Sequence, residues 1–450
     1  MSMTTLPMSA AQECADVTPL QSLLLKLAER TARVGVIGLG YVGLPLALEF
    51  ARAGYPVTGF DVDSARVGKV EAGESYIGDV DGAELHQMRQ ARRLSATTDW
   101  SRLQQMDAVS ICVPTPLRKT KDPDLSFILA AVEHLRPALH PGMLIVLEST
   151  TYPGTTEEVM LPVLESSGWR VGIDFCLAFS PERVDPGNGR YHTRNIPKVV
   201  GGLTSICTEA ARRLYSNMAD TVVPVASART AEMVKLLENT FRNVNIALAN
   251  EMAVLCREFE VNVWEVIGAA ATKPFGFMPF YPGPGLGGHC IPIDPVYLSW
   301  KARTAGLEPR LIEVAQAING KMPEYVVHRI AAKLNERSQP LRNSKLHLLG
   351  VAYKRDVTDI RESPALDLIH LLRKAGARIA YSDPHVPRLR LDGGTDLWSE
   401  PLNALMESDG AIIVTDHSAF DYERIVEWSP WVLDTRNALR DFVDAKIERL

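Results

Sequence analysis

Val34-Gly35-Val36-Ile37-Gly38-Leu39-Gly40-Tyr41-Val42-Gly43 decides the fold of the first part of this chain. An apolar run stops at a glycine turn, and a helical pattern follows from Leu44 to Ala53. A second apolar run, Val57 to Phe60, then stops at Asp61. Strand, glycine turn, helix, strand and acid, in that order, make the dinucleotide-binding fingerprint. Gly38 permits the tight turn, Gly40 lets backbone approach a pyrophosphate, and Gly43 lets helix and strand pack closely. Tyr41 and Val42 complete the turn, where a helix N-terminus offers N–H groups to phosphates. Asp61 suits two ribose hydroxyls and would repel a 2′-phosphate, which favours NAD over NADP; Arg66 nearby pulls the other way.

Outward from this unit the strand and helix alternation continues. Asp107 to Val113 and Leu144 to Leu147 read as buried strands, ending near Thr115 and Thr150. Ligands in such sheets lie beyond the carboxyl ends of the strands, so both threonines are cofactor candidates, and loop caps equally well. Thr155 with Glu158 reads as a capping box. Leu177 to Phe179 leads into the polar loop Ser180-Pro181-Glu182-Arg183-Val184-Asp185-Pro186-Gly187, where Glu182 is a candidate base or a solvated loop acid.

A second such unit lies near the C-terminus. Leu346 to Tyr353 is a strand pattern, Ser363 and Pro364 open a helix as N-cap and first residue, and Arg378 to Tyr381 runs into Asp383. No glycine fingerprint is present here. A longer loop carrying Lys354, Arg355 and Arg361 replaces it, suited to a nucleotide diphosphate, or else a surface charge cluster. Between the two units, Ala231 to about Glu260 has helical apolar spacing without proline or glycine. Lys235 and Asn239 share one face of that helix, and asparagines at 239, 243, 245 and 250 suggest tertiary hydrogen bonds.

The expected architecture is α/β, with two Rossmann-like doubly wound domains joined by a central helical domain with one long helix. The boundaries expected are an extension over 1–30, a NAD-binding domain over 31–227, a central domain over 228–328 and a last domain over 329–450.

The loop Tyr281 to Asp294, with four glycines and three prolines, brings backbone close to something. Cys290 follows the glycine pair, beside His289 and four residues before Asp294, and is a candidate nucleophile. A turn before a buried free cysteine is the plainer reading.

A net charge of −6 argues against a nucleic-acid binder, and the 46% hydrophobic content is ordinary for a globular protein with a large core. No apolar run spans a membrane and no signal peptide is evident, so a cytoplasmic protein is expected. Six scattered cysteines without a Cys-x-x-Cys pair indicate reduced thiols and no metal array.

Taken together, residues from about 33 to 440 resemble the UDP-glucose/GDP-mannose dehydrogenase family. The resemblance rests on the glycine turn, Ser180-Pro181-Glu182-Arg183, the helix stretch Glu232 to Asn239, Gly287 to Asp294, and Tyr353-Lys354-Arg355-Asp356. The form of the cysteine loop is most similar to the UDP-N-acetylglucosamine 6-dehydrogenases of bacterial O-antigen and capsule pathways. The resemblance implies NAD-dependent oxidation of a sugar 6-hydroxyl to a carboxylate, by way of a thiohemiacetal and a thioester on Cys290. It implies that Lys235 and Asn239 steady the oxyanion, that Asp294 transfers protons, and that Glu182 and Thr150 position water. It places Tyr281, Gly285, Gly287, Tyr353, Lys354 and Arg436 on the UDP-sugar and Arg361 on the NAD side. It implies a homodimer or a higher oligomer, with Lys235 or the nicotinamide charge lowering the pKa of Cys290. His289 ranks below Lys235 because the implied chemistry does not require it.

UDP-glucose and UDP-N-acetylmannosamine enzymes differ from this reading in the sugar alone. A two-electron β-hydroxyacid dehydrogenase would need neither Cys290 nor the second α/β unit. A non-catalytic nucleotide-sugar sensor would not need Lys235, Asn239, Cys290 and Asp294 together.

Overall fold

The computed structural model describes residues 17–450 apart from 79, 119, 186, 187, 189, 392 and 393. Most of the 1–30 extension, and Pro186 and Gly187 of the polar loop, therefore lie outside the described residues. The chain divides into two units, one of residues 1–115 and 125–232, the other of 116–124 and 233–450.

The first unit is built on eight strands among the described residues. They are β1 (Val34–Ile37), β2 (Val57–Phe60), β3 (Leu94–Thr97), β4 (Ala108–Ile111), β5 (Leu144–Leu147), β6 (Cys176–Phe179), β7 (Lys198–Gly202) and β8 (Val222–Pro224). Their order is β3-β2-β1-β4-β5-β6-β7-β8, with β6 and β7 antiparallel and the other neighbours parallel. The first six form the doubly wound order that puts a ligand crevice at the carboxyl ends of β1 and β4. Residues of β1, β2, β4, β5 and β6 are buried on both faces, which is why they read as unbroken apolar runs.

The helix Pro19–Glu29 opens with a capping box between Thr18 and Gln21. It sets Leu20, Leu23 and Leu27 into the core of this unit. Tyr55 and Asn217 both donate to the Leu27 carbonyl, at 2.8 and 3.0 Å. The segment is thus built into the sheet unit.

The capping box expected at Thr155 does not form. Thr155 has helical backbone angles, φ −59 and ψ −42, and a side chain so placed cannot reach forward. Its hydroxyl donates back to the Tyr152 carbonyl at 2.9 Å. Glu232 does the capping instead: its carboxylate accepts the N–H groups of Gly154 and Thr156 and the Thr156 hydroxyl.

The second unit contains most of the long helix, Ala228–Glu258, which starts three residues before the Ala231 expected from its periodicity. The helices Asp294–Thr304 and Arg310–Glu336 follow, then a five-stranded parallel sheet. Its strands are β9 (Lys345–Leu349), β10 (Arg378–Ser382), β13 (Gly410–Ile413), β14 (Val432–Asp434) and β15 (Ile447–Arg449), in the order β10-β9-β13-β14-β15. A small antiparallel pair, β11 (Arg388–Arg390) and β12 (Asp396–Trp398), is inserted after β10. Ser363 caps the helix Pro364–Lys374 as its sequence implies.

The two sheets repeat one device. Asp61, after β2, accepts the Leu39 N–H at 2.8 Å, and Asp383, after β10, accepts the Val351 N–H at 2.7 Å. In each, an acid after one strand fixes the turn after its neighbour.

Candidate active site

The glycine turn after β1 shows why each glycine is there. A side chain on Gly38, whose φ is +89, would come within 2.7 Å of the Cys112 carbonyl oxygen. One on Gly43 would come within 1.8 Å of the Gly38 oxygen. One on Gly40 would meet nothing within 4 Å. The first and third glycines answer to the fold, and the second leaves the open space a pyrophosphate needs. Tyr41 is exposed, and Val42 immediately precedes the helix Gly43–Arg52. Asp61 is buried, and Arg66 pairs with it at 3.6 Å and with Asp63 at 3.5 Å. That cation is therefore spent on two carboxylates. Thr115 and Thr150 are half-buried just beyond β4 and β5. These residues fit a bound NAD.

Beyond the ends of β5 and β6, Glu182 belongs to a buried charge cluster whose other members, Lys198, Glu148 and Tyr215, sequence patterns did not single out. Lys198, at the start of β7, donates to Glu148 at 2.6 Å and to Glu182 at 3.0 Å. The Tyr215 hydroxyl donates to the other oxygen of Glu148. Burial pushes the Glu148 carboxyl up. Burial also pushes Glu182 up, but the charge and hydrogen bond of Lys198, with the N–H groups of Arg183 and Val184, outweigh it and hold Glu182 below its ordinary value. The signal available was a lysine opening an apolar strand and a glutamate closing another, each too costly to bury alone.

In the second unit the cysteine loop meets the long helix. Lys235 and Asn239 are both buried, and Asn239 Nδ2 donates to Asp294 Oδ2 at 2.6 Å. Asp294 opens the helix Asp294–Thr304, and its own N–H and that of Ile293 donate to the Cys290 carbonyl. Burial pushes Asp294 up to about 6, against the pull of Lys235 and Asn239. Burial likewise pushes the Cys290 thiol up; Lys235, Arg242 and Arg361 draw it down and Asp294 adds to the rise. The expected lowering by Lys235 is real in direction, but desolvation outweighs it. His289 is pushed down to about 4 by burial, then by Arg361 and Lys235. It is a poor base at neutral pH.

Three of the four helix asparagines make the tertiary bonds expected. Asn243 donates to the Ile291 carbonyl at 3.2 Å, and Asn250 Oδ1 accepts the Gly283 N–H at 2.9 Å. Asn319, on the helix Arg310–Glu336, accepts from Asn250 and donates to the Asn243 carbonyl. Both ends of the cysteine loop are thus tied to one buried amide chain. Asn245 differs, donating to the Phe241 carbonyl of its own helix.

The close backbone approach expected of the loop glycines is seen against protein atoms. Side chains on Gly287 and Gly288 would come within 2.6 and 2.9 Å of Tyr353 atoms, and one on Gly285 within 3.0 Å of Pro364. One on Gly283 would strike the Arg436 guanidinium at 2.6 Å. In this fold the loop backbone comes close to Tyr353, Pro364 and Arg436. This packing brings Tyr353, Arg436 and Arg361 beside the cysteine loop; the Gly288 N–H donates to the Arg361 carbonyl at 3.0 Å.

Among the other substrate candidates, Lys354 is half-buried and Tyr281 is exposed and stacked on Trp264. Arg436 donates Nε–H to the Val414 carbonyl at 2.9 Å, and Arg361 pairs with Asp359 at 2.6 Å. The basic loop is braced by buried His417. Its Nδ1 accepts the Asp356 N–H at 2.9 Å and its Nε2 meets Asp383 at 3.1 Å.

Comparison with known proteins matches each part of the chain to one family. Residues 32–219 match the NAD binding domain of the UDP-glucose/GDP-mannose dehydrogenase family, 229–321 its central domain and 347–441 its UDP binding domain. The UDP-N-acetyl-D-glucosamine 6-dehydrogenase of Pseudomonas aeruginosa is 36% identical over 393 residues, covering 86% of this chain and 91% of that protein. The NDP-N-acetyl-D-galactosaminuronic acid dehydrogenase of Ralstonia solanacearum is 35% identical over 417 residues, 90% of this chain and 95% of that protein. The solved structure of a UDP-D-ManNAc dehydrogenase from Pyrococcus horikoshii superposes with a TM-score of 0.85 at 33% identity, covering 93% and 98% of the two chains.

Proposed function

Because the chain belongs to the UDP-glucose/GDP-mannose dehydrogenase family of NAD-dependent oxidoreductases, we propose that it oxidises the 6-hydroxyl of a UDP-sugar to a carboxylate through Cys290. UDP-N-acetylglucosamine is the substrate proposed, on the form of the cysteine loop and the likeness to the Pseudomonas enzyme. The observation that carries the mechanism is the grouping of Cys290 with Lys235, Asn239 and Asp294, in which Asn239 and Asp294 are 2.6 Å apart.

Bound NAD supplies the hydride acceptor for each of the two oxidations. Asp294, poised at about 6, takes the hydroxyl proton of the sugar. Lys235 and Asn239 hold the oxygen on which charge develops. The Cys290 thiol adds to the aldehyde carbon as a thiolate, its proton leaving to Asp294 or solvent. That bond keeps the aldehyde from escaping and gives the second oxidation a thiohemiacetal, which becomes a thioester. Glu182 and Thr150 orient water toward the thioester carbonyl. The new C–O bond forms, the C–S bond breaks, and the thiolate leaves with the bonding pair as Glu182 takes a water proton.

Tyr353, Lys354 and Arg436 are proposed to hold the UDP moiety and Arg361 to act on the NAD side, while Tyr281, Gly285 and Gly287 shape the sugar pocket. The four domains proposed are the terminal extension over 1–30, the NAD domain to 227, the central domain to 328 and the UDP domain beyond. A second copy is proposed to cover the apolar stripe left exposed on the long helix by Leu237, Phe241 and Leu248, and just past its end by Phe259. The described cysteines are free thiols, as suits a cytoplasmic enzyme making precursors of surface polysaccharide.

The test is NADH yield and product mass with a panel of UDP-sugars. The expected outcome is about two NADH per acid formed, fastest with UDP-N-acetylglucosamine, since each hydride removes two electrons. A yield of one NADH ending in aldehyde would refute the thioester route. Preference for UDP-N-acetylmannosamine would move the sugar and leave the chemistry standing.

A further inference from the structure

We propose that Lys198 is a positioning residue for Glu182, locking its carboxylate so that Oε2 keeps one free lone pair for the hydrolytic water, with Glu148 and Tyr215 fixing Lys198 in turn. The inference rests on the reading that Glu182 orients that water.

The geometry carries it. A carboxylate offers about four acceptor sites. On Glu182, Oε1 accepts the N–H groups of Arg183 at 2.7 Å and Val184 at 2.9 Å. Oε2 accepts from Lys198 at 3.0 Å. Three of the four sites are filled, which leaves one on Oε2. The two backbone bonds come from residues adjacent to Glu182 and move with its loop. Lys198 comes from β7 and ties that loop to the sheet.

Lys198 is itself held on every side. Its ammonium donates to Glu148 at 2.6 Å and lies 5.3 Å from the centroid of the Tyr215 ring, while the Tyr215 hydroxyl donates to Glu148. The side chains of Lys198 and Glu148 are 4% and 0% exposed, so bulk water does not compete for these bonds. A lysine buried for stability alone needs one carboxylate partner. This one bridges two, and the second is the residue proposed to handle water. Its positive charge also keeps Glu182 an acceptor across the neutral range, in agreement with the downward shift of Glu182.

Loss of Lys198 therefore has a specific signature. Both oxidations proceed, but hydrolysis slows, because misplacing a positioned group by about 1 Å costs roughly a hundredfold. The full-length variants Lys198→Met, Lys198→Arg and Glu182→Gln are mixed rapidly with UDP-N-acetylglucosamine and NAD. First-turnover NADH, steady-state rate and the intact mass of the enzyme are then followed. Lys198→Met is expected to give a normal NADH burst, an accumulated adduct on Cys290 and a steady-state rate lowered about a hundredfold. The acid limb of the hydrolysis pH profile is expected to move up, since the charge that holds Glu182 down is gone. Lys198→Arg is expected to recover most of the rate.

Because Lys198→Met leaves two carboxylates buried together, the Lys198→Met/Glu148→Gln double variant serves as the folded control. It is expected to show the same adduct. The inference is overturned if the folded double variant hydrolyses at the wild-type rate with the wild-type pH profile, or loses burst and steady state equally. If Glu182→Gln accumulates adduct and the Lys198 variants do not, the inference alone fails. If Glu182→Gln also turns over normally, the reading of Glu182 fails with it.

Discussion

Asn239 and Asp294, fifty-five residues apart in sequence, share a 2.6 Å hydrogen bond in which the buried amide donates to a buried carboxylate. That bond favours the ionised acid, yet burial wins and Asp294 stands at about 6. As the proposed base, Asp294 must be ionised, so turnover at saturating substrate is expected to rise with pH through about 6 and then level off. Asp294→Asn should remove that limb and lower kcat by roughly 10²- to 10⁴-fold. Stability moves in the opposite sense. The folded pKa lies above the ordinary carboxylate value, so between about pH 4 and 6 the folded chain holds a proton that the unfolded chain releases. Stability contributed by this group falls as pH rises through that window. Asp294→Asn is therefore expected to be more stable than wild type at about pH 8, by up to about 3 kcal/mol, and little different at about pH 4. Urea denaturation at the two pH values checks this, and a less stable variant at the higher pH would contradict it.

The Cys290 thiol should alkylate slowly in the enzyme without cofactor. Burial raises it, and Lys235 is the largest influence drawing it down. Lys235→Met is expected to slow iodoacetamide labelling of Cys290 at about pH 8 by roughly three- to tenfold, since the reactive species is the thiolate. Cys290→Ala should retain UDP-sugar binding by calorimetry and lose acid production. His289, at about 4, is neutral across the working range. His289→Gln should therefore leave the shape of the pH profile unchanged between about pH 5 and 8.

Glu232 replaces the local cap that the Thr155 and Glu158 pattern suggests. Its carboxylate serves Gly154, the Thr156 N–H and the Thr156 hydroxyl from seventy-six residues away at Thr156. Glu232→Gln keeps the shape but can accept at one oxygen only, so one served group is left unpaired in a buried place. A loss of about 1–3 kcal/mol in equilibrium unfolding is expected. Thr155→Ala, by contrast, removes no helix cap, and its cost should not include the typical loss of about 1 kcal/mol that follows removal of a cap.

What the sequence makes legible is what a short window encodes. The turn Gly38 to Gly43 and the acid at 61 lie within one strand-helix-strand unit, and their order alone predicts the sheet that forms. The helix from 228 to 258 declares itself by spacing, and its asparagines stand out as poor helix formers. The loop glycines are visible as glycines, but what presses on them is Tyr353, Pro364 and Arg436, far along the chain. No local pattern separates that packing from approach to a ligand. Lys198, Glu148 and Asn319 went unmarked for a related reason. Each is an ordinary residue until folding buries it beside its partner, and the partner is what gives it meaning.

Asn250 offers the sharpest test of how the cysteine loop is held. It is fully buried, accepts the Gly283 N–H and donates to Asn319, which in turn reaches the Asn243 carbonyl, while Asn243 holds Ile291 beside Cys290. Asn250→Ala frees the Gly283 end of the loop and leaves a buried N–H and the Asn319 amide oxygen without partners. Each orphaned group costs about 1–3 kcal/mol, so an overall loss of about 2–6 kcal/mol is expected. Asn319→Leu should cost a similar amount, and because the two amides belong to one chain the double variant should cost less than the sum. Hydrogen exchange at Gly283 should accelerate in Asn250→Ala, reporting local opening. The activity consequence distinguishes a mere structural loss from misplacement of Cys290. At a temperature where the variant remains folded, iodoacetamide labelling of Cys290 should quicken as the loop opens to water, while kcat falls. Unchanged labelling and unchanged kcat in a folded Asn250→Ala variant would show that the amide chain supports the fold without setting the position of the thiol.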